Sequence, residues 1–231
     1  MSVYIHGGLR SPIGVLNGQY KHMRPEILGS QVIDEIINRY SISHIDGIFC
    51  GNAVGTGGNL GRLMGLMCNL PNSVPAITVD MQCASALMSI EIAYAHIVSG
   101  IMDSAIAGGI ESSSLQPERV YASGDDREGP YKVAQFTPQD QSPLAMLKGA
   151  ERTIHKYNVT KEDLYPHIIG SHQRASAALD NPYLQSYIMP ITIDGKRCID
   201  ECIRPTMNEK LLSRMKPLLG VDSITNAGNA C

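Results

Sequence analysis

The stretch TVDMQCASALMSIEIAYAHI, residues 78–97, holds a cysteine at the point where one apolar pattern changes into another. The segment AITVDMQ contains β-branched residues and predicts a strand that ends just before Cys83. The segment ASALMSIEIAYAHIVSG predicts a helix that ends at Gly100. We therefore expect Cys83 to lie in the turn between a strand and the start of a helix.

The same alternation of strand and helix runs through the first 115 residues. The predicted strands are SVYIH at residues 2–6, a strand within HIDGIFCGNAV, AITVDMQ and SAIAGGI. The other predicted helices are PEILGSQVIDEIINRY at residues 25–40 and GRLMGLMCNL. This alternation predicts an α/β fold with a mostly parallel, mixed sheet and helices on both faces. The ligand site of such a sheet lies at the carboxyl ends of its strands, where Cys83 falls.

The second half of the chain has a different pattern. Residues 116–140 are polar, with several Pro and Gly and no clear period, and predict a long excursion. Helices are predicted near residues 142–157 and 160–179, with a break near Pro166. The segment ITIDGKRCIDECIRP predicts two strands joined by a turn at Asp194-Gly195.

Composition and charge argue against several classes of protein. The 231 residues carry a net charge of −3 and show no basic patch, so no nucleic-acid partner is expected. No apolar run reaches the roughly 18 residues of a membrane span. The start MSVYIHGGLRSPIG is unlike a signal peptide, and we therefore expect a cytoplasmic protein.

The six cysteines are irregularly spaced and predict free thiols rather than a disulfide framework. Cys198 and Cys202 are four residues apart, which is not a usual zinc spacing, so no metal is expected.

Cys83 has the position that suits a nucleophile. A helix N-terminus offers unpaired N–H groups and a partial positive charge, which favour the reactive thiolate. The alternative is a buried, inert cysteine, which is the commonest fate of this residue.

Seven motifs appear in an order and at a spacing that resemble the thiolase family. They are RSPIG at residues 10–14, GNAVGTGGNLGR at 51–62, DMQCASAL around Cys83, AGGIESSS at 107–114, the middle segments SPLAMLKGAE and SHQRASAA, and NAGNA at 226–230. DMQCASAL resembles the acyl-cysteine motif of that family. Thiolases have Cys-x-Ser-Gly at this point, whereas this chain has Ala86 in place of the glycine. An added methyl group there would crowd the turn if the position needed a positive φ.

The resemblance implies a thiolase-like fold and a thiolase-type acyltransferase, in which Cys83 takes an acyl group from acyl-CoA or from a 3-ketoacyl-CoA such as acetoacetyl-CoA, forming a thioester. It implies coenzyme A thioesters as substrates and no permanently bound cofactor. The other residues with implied roles are Met146 and Arg204 as CoA or substrate contacts, and Gly108, Gly109, Glu111, Ser112 and Asn229 as supports of the site. The alternatives from the residues themselves are a core position for Met146, a surface charge for Arg204 and a simple strand-end turn for the glycines.

The resemblance also implies a division of the chain. Residues 1–116 match an N-terminal α/β domain, 117–217 an inserted loop domain that contacts CoA, and 218–231 a return toward the first domain. The Gly-His-Pro and Cys-x-Gly motifs of the thiolase C-terminal half do not occur. We therefore expect a fragment, half of a split enzyme or a non-catalytic relative that binds acyl-CoA or a partner. Implied partners are a second copy, paired through the strand before Cys83, or a complementing C-terminal chain. A ketoacyl synthase fits these motifs less well.

Overall fold

A computed structural model describes residues 2–55, 57–135, 137–138 and 142–230. The chain divides into two compact units. Unit 1 comprises Met1–Pro117 and Ser186–Cys202, and unit 2 comprises Glu118–Gln185 and Ile203–Cys231. These limits differ from the boundaries at residues 117 and 218 that the resemblance implies, and the division into functional domains stays a prediction.

In its described residues, unit 1 is built on a parallel sheet of three strands. They are β1 (Gly47–Gly51), β2 (Ala76–Val79) and β3 (Ala105–Gly109), in the order β2-β1-β3. The helices between and before them are α1 (Pro25–Arg39), α2 (Leu60–Met67) and α3 (Ser85–Val98). Ile48 of β1 is aligned with Ala76 on one side and with Ile106 on the other. The α/β class and the parallel sheet predicted from the sequence are confirmed.

Helices cover both faces of this sheet. Successive side chains of a strand point to opposite faces, so the neighbours of β1 identify each cover. Ile48 and Cys50 face α2, where a Cβ added to Gly65 or Gly61 would lie 3.0 or 2.9 Å from them. Phe49 faces the other way, and its ring lies 5.1 Å from that of His96 on α3. Every residue of β1 is buried, and α1 adds Ile33 to the core cluster on the α2 side.

The strand predicted at residues 2–6 is wrong. Residues 2–9 adopt no regular structure, and Tyr4 and Ile5 are exposed. The first pairing of this region is an isolated bridge between Arg10 and Ile188. A strand needs a neighbour to satisfy its N–H and C=O groups, and β-propensity alone does not supply one.

Unit 2 is mainly helical in its described part. It contains the short antiparallel strands β4 (Arg119–Val120) and β5 (Pro130–Tyr131), and the helices α4 (Ala145–Lys156), α5 (Lys161–Ala178), α6 (Pro182–Gln185) and α7 (Glu209–Leu212). The break predicted near Pro166 is wrong, because α5 runs through this residue. A capping box between Thr160 and Asp163 fixes the first turn of α5, and Pro166 follows directly in the next turn.

The remaining strands return to unit 1. They are β6 (Thr192–Ile193) and β7 (Lys196–Arg197), joined at Asp194 and Gly195, which have φ values of 49° and 74°. Two successive positive φ angles are typical of a tight hairpin turn, so the predicted turn is confirmed. Met189, Ile191 and Cys198 around this hairpin pack against Leu28 of α1. Among the described residues, no helix is both long and apolar enough to span a membrane.

Candidate functional site

Cys83 lies in a tight elbow between β2 and α3 and is exposed. The elbow contains Gln82, a residue other than glycine with a φ of 53°. The carboxylate of Asp80 accepts a hydrogen bond from the Gln82 N–H at 2.9 Å. The structure thus places the cysteine at the carboxyl end of the sheet, directly before a helix.

The buried hydroxyl of Ser85 closes the elbow from the helix side. Its Oγ accepts a hydrogen bond from the Met81 N–H at 2.8 Å and donates one to the Gln82 carbonyl at 2.6 Å. Main-chain bonds from the Ala84 N–H to the Met81 carbonyl and from the Ser85 N–H to the Gln82 carbonyl complete the turn. In the described chain no side chain caps this end of α3. The Ser85 N–H is already bonded, so this helix start presents the positive end of the helix dipole and the later N–H groups of its first turn near Cys83.

Two glycines at the strand ends allow the start of α3 to approach the sheet. A Cβ on Gly51 would collide with the backbone of Ser85 and Ala86, and one on Gly109 would lie 2.9 Å from the Ala86 methyl group. The Ser89 hydroxyl donates to the Gly108 carbonyl at 2.9 Å, which ties the same helix to β3. Ala86 is helical and is not among the residues with positive φ. The methyl group in place of the thiolase glycine is therefore accommodated by Gly109 instead of straining the turn.

Glu111 holds the loop that follows β1. Its carboxylate accepts hydrogen bonds from the N–H groups of Ala53 at 2.9 Å and Val54 at 2.7 Å, and from the Asn52 amide at 3.0 Å. The Asn52 amide also donates to the Ile110 carbonyl at 2.8 Å. Ser112 follows directly, and its N–H points back to the same carboxylate at 3.3 Å. The ends of β1 and β3 are thereby joined by one side chain.

The remaining residues with implied roles lie in unit 2. Met146 is exposed on the first turn of α4. Arg204 is also exposed, and its N–H donates to Nδ1 of His172 at 3.2 Å. Asn229 is part of a hydrogen-bonded loop, since its side chain accepts from the Asn226 N–H at 2.7 Å and donates to the Ile224 carbonyl at 2.9 Å.

Comparisons with known proteins identify the family of this chain. The sequence model of the family described as "Thiolase, N-terminal domain" matches residues 3–231. The chain belongs to the thiolase family. The crystal structure of an acetyl-CoA acetyltransferase from Bacillus anthracis is similar with a TM-score of 0.84 and 25% identity, over 98% of this chain and 61% of that one. The thiolase-like fold is therefore confirmed.

Two sequence relatives are named as acetyl-CoA C-acetyltransferases. VraB of Staphylococcus epidermidis is 34% identical over 234 residues, which cover 96% of this chain and 59% of that protein. VraB of Staphylococcus aureus is 32% identical over 229 residues, which cover 96% of this chain and 60% of that protein. The thiolase chain thus spans about three fifths of the length of these relatives.

The other described thiols of this thiolase chain differ from Cys83 in their surroundings. Burial raises the pKa of Cys50 to about 11 and that of Cys68 to about 12. Cys198 is buried as well, and burial is again the main cause that raises its pKa. Of the five described cysteines, Cys83 and Cys202 are exposed, and Cys231 lies outside the described residues. A protonated, inaccessible thiol is a poor nucleophile. Burial therefore makes Cys50, Cys68 and Cys198 poor candidates for a nucleophile.

The Cys83 thiol makes no hydrogen bond to a histidine in the part of the chain that the structure describes. His96 lies in the last turn of α3 and packs on Phe49 instead. No group of three metal-ligating side chains was found among the described residues. A cavity of about 420 Å³ lies between α1 and β3, and Cys83 is not part of its lining. The cysteine is therefore open to solvent rather than enclosed.

Several supporting residues were missed by the sequence analysis. Gly51 and Ser85 were quoted only as parts of sequence motifs, without roles of their own. Glu151 of α4 was not singled out, although its carboxylate accepts bonds from the N–H groups of Ile224 at 2.8 Å and Thr225 at 3.1 Å. It also accepts from the hydroxyls of Ser223 and Thr225. These bonds outweigh the cost of burial and lower the pKa of Glu151 to about 2.

Proposed function

We propose that this thiolase chain forms an acyl-cysteine intermediate at Cys83 and transfers acyl groups to or from coenzyme A. The observation that carries the proposal is the exposed Cys83 thiol in an elbow at an uncapped helix start. The N–H groups there can stabilise the negative charge that develops on the carbonyl oxygen of a bound thioester or ketone. Coenzyme A thioesters are the substrates, and no resident cofactor is part of the proposal.

With acetoacetyl-CoA as the substrate, the proposed reaction has two steps. The Cys83 sulfur forms a bond to the ketone carbon, and the bond between that carbon and the methylene carbon breaks. The methylene carbon takes a proton in place of the one lost by the thiol and leaves as acetyl-CoA. The acetyl thioester on Cys83 then passes to the thiol of free CoA, which restores the cysteine.

The supporting roles follow from the resemblance and from exposure. Glu111, Ser112 and the pair Gly108 and Gly109 shape the backbone at the ends of β1 and β3. Met146 and Arg204 are proposed contacts of the CoA thioester, and their exposed positions leave them accessible to a ligand. Asn229 is a proposed support within its loop. Any of these supporting roles can be wrong while the assignment of Cys83 as the nucleophile stays valid.

Intact mass spectrometry after incubation with acetoacetyl-CoA tests the nucleophile. We expect wild type to gain one acetyl group and the Cys83→Ala variant to gain none. Cys202→Ala is the matched control, because it removes the other exposed thiol of unit 1 and is expected to gain the group normally. Full acetylation of Cys83→Ala would contradict the assignment. No acetylation of wild type would favour the alternative, a non-catalytic thiolase-like protein that binds acyl-CoA or a partner.

One exposed surface, on helix α3, supports the proposal of a protein partner. Leu87, Ile90, Tyr94 and Val98 form an exposed apolar stripe along α3, and Leu87 is 68% exposed. Residues three to four apart share one helix face, so the stripe spans about 16 Å. A stripe of this kind is typical of a helix that packs on another element. We propose a complementing thiolase segment as its occupant, because the relatives extend beyond the part that this chain matches.

Co-expression with the unmatched part of S. epidermidis VraB tests the occupant. We expect the two polypeptides to purify together, and the double variant Leu87→Glu, Tyr94→Glu to lose the complex. Val221→Glu is the control, since it changes an exposed apolar residue of unit 2. Self-association of wild type that the double variant abolishes, without complex formation, would identify a second copy as the occupant instead.

A further inference from the structure

The elbow before Cys83 contains a backbone conformation that its sequence does not favour. Among the described residues other than glycine, five have positive φ: Asn17, Ser41, Gln82, Asn158 and Asp194. Asn and Asp adopt this region readily, because their short polar side chains bond locally to the backbone. Gln82 has a longer side chain and lies immediately before the proposed nucleophile. Its conformation therefore needs support from elsewhere.

The Ser85 hydroxyl provides that support through both of its hydrogen-bonding functions. It accepts from the Met81 N–H at 2.8 Å and donates to the Gln82 carbonyl at 2.6 Å, so it holds peptide groups on both sides of the left-handed residue. Ser85 is only 4% exposed, so water has little access to replace these bonds. The Gln82 carbonyl belongs to the peptide group that leads directly to Cys83.

We infer that Ser85 is a positioning residue for Cys83: it holds Gln82 in the left-handed conformation and thereby sets the direction of the thiol. The inference rests on the proposed acyl transfer at Cys83. Ser85 acts through the backbone and needs no contact with the substrate. Loss of its hydroxyl leaves the elbow to the Asp80 bond and the main-chain bonds of the turn, and Gln82 can then relax toward a more favourable φ.

Two reactions at the same sulfur separate positioning from accessibility. Acetylation by acetoacetyl-CoA requires an oriented thiol, whereas alkylation by iodoacetamide requires only an exposed one. We expect Ser85→Ala to slow acetylation of Cys83 by about ten- to hundredfold. We expect its alkylation rate at Cys83 to stay within about twofold of wild type. Peptide mass spectrometry follows both reactions, with the exposed Cys202 as an internal reference.

A second substitution tests whether Ser85 acts through the left-handed conformation of Gln82. Glycine adopts positive φ without strain, so Gln82→Gly in the Ser85→Ala background is expected to restore most of the acetylation rate. Ser99→Ala is the matched control, since that hydroxyl bonds to the His96 carbonyl at the other end of α3. It is expected to acetylate like wild type.

The outcomes are distinct. Normal acetylation of Ser85→Ala, or no recovery in the double variant, overturns the positioning role and leaves the nucleophile assignment standing. Equal slowing of acetylation and alkylation also overturns it, because the variant would then act through general loss of structure. A wild-type chain that takes no acetyl group overturns both proposals, since Ser85 would have no reaction to serve.

Discussion

Two cysteines at the carboxyl end of the same sheet have opposite environments. Cys50 is part of β1 and is aligned with Thr78 of β2, and it is buried under α2. Cys83 follows β2 by four residues and is exposed. The residue type and the end of the sheet are the same in both cases. Position within the strand or beyond its end decides whether the thiol is available to a substrate.

The largest expected difference is in reactivity toward iodoacetamide. We expect complete alkylation of Cys83 in the native protein while Cys50 stays unmodified, because Cys50 is 3% exposed and burial raises its pKa to about 11. Peptide mapping over time measures both sites in one sample. Both thiols should react together in urea. Equal rates in the native state would show that its position within β1 does not protect Cys50.

The second largest expected effect is on stability and concerns Gly51, the last residue of β1 before the loop. We expect Gly51→Ala to destabilise the chain by about 3 kcal/mol, because the new methyl group collides with the backbone of α3. Gly108→Ala is the matched control, since a Cβ there meets no atom within 4 Å. Its expected change is below about 1 kcal/mol. Urea unfolding followed by circular dichroism measures both. Equal midpoints would show that α3 does not depend on this close approach.

Each of two loops is held by its own carboxylate: Glu111 holds the loop after β1, and Glu151 holds the loop that contains Asn229. Glu151 accepts four hydrogen bonds, which lower its pKa to about 2 from the usual 4.5. Its contribution is therefore complete above about pH 4.5 and is lost as the pH falls toward 2. We expect Glu151→Gln to lower the stability of unit 2 by about 2 kcal/mol at neutral pH.

The same variant should lose less stability than wild type on acidification to about pH 3. Urea unfolding at both pH values measures the difference. Glu162→Gln is the control, because it removes an exposed carboxylate of the same unit. Parallel pH profiles for wild type and Glu151→Gln would contradict the assignment of this acid sensitivity to Glu151.

The smallest expected effect is at Glu111, which is exposed and can be partly replaced by water. We expect Glu111→Gln to cost about 1 kcal/mol and to act locally. Hydrogen exchange should accelerate at the amides of Ala53 and Val54, which donate to this carboxylate. Glu91→Gln on α3 provides the control. Unchanged exchange at both amides would mean that the loop keeps its shape without Glu111.

The fold was largely predictable because its signals are local. Period and β-branched content predicted β1 to β3 and α1 to α3, and Asp194-Gly195 predicted the hairpin turn. The strand at residues 2–6 failed because a strand depends on a partner that local sequence does not show. The break at Pro166 failed because the capping box of α5 stabilises the turn before it.

The site was predictable in part for the same reason. The strand-to-helix pattern placed Cys83 at the elbow, and the motifs led to Glu111 and the glycines. The partners of Glu111 were not predictable, because Asn52 and Glu111 are 59 residues apart. The role of Ser85 was also missed, although its contacts are local. Only the three-dimensional structure shows that its hydroxyl bonds to peptide groups on both sides of a left-handed residue.

The strand order β2-β1-β3 has a consequence for synthesis on the ribosome. The first strand made is the central one, and each later strand adds to an edge that is already present. Parallel pairing requires a crossover, so this assembly proceeds in steps as the chain emerges. Unit 1 nevertheless waits for residues 186–202, whose Met189, Ile191 and Cys198 pack on Leu28. Its final contacts form only after the long segment 118–185 has left the ribosome, so the Leu28 side of α1 lacks these three contacts during that interval.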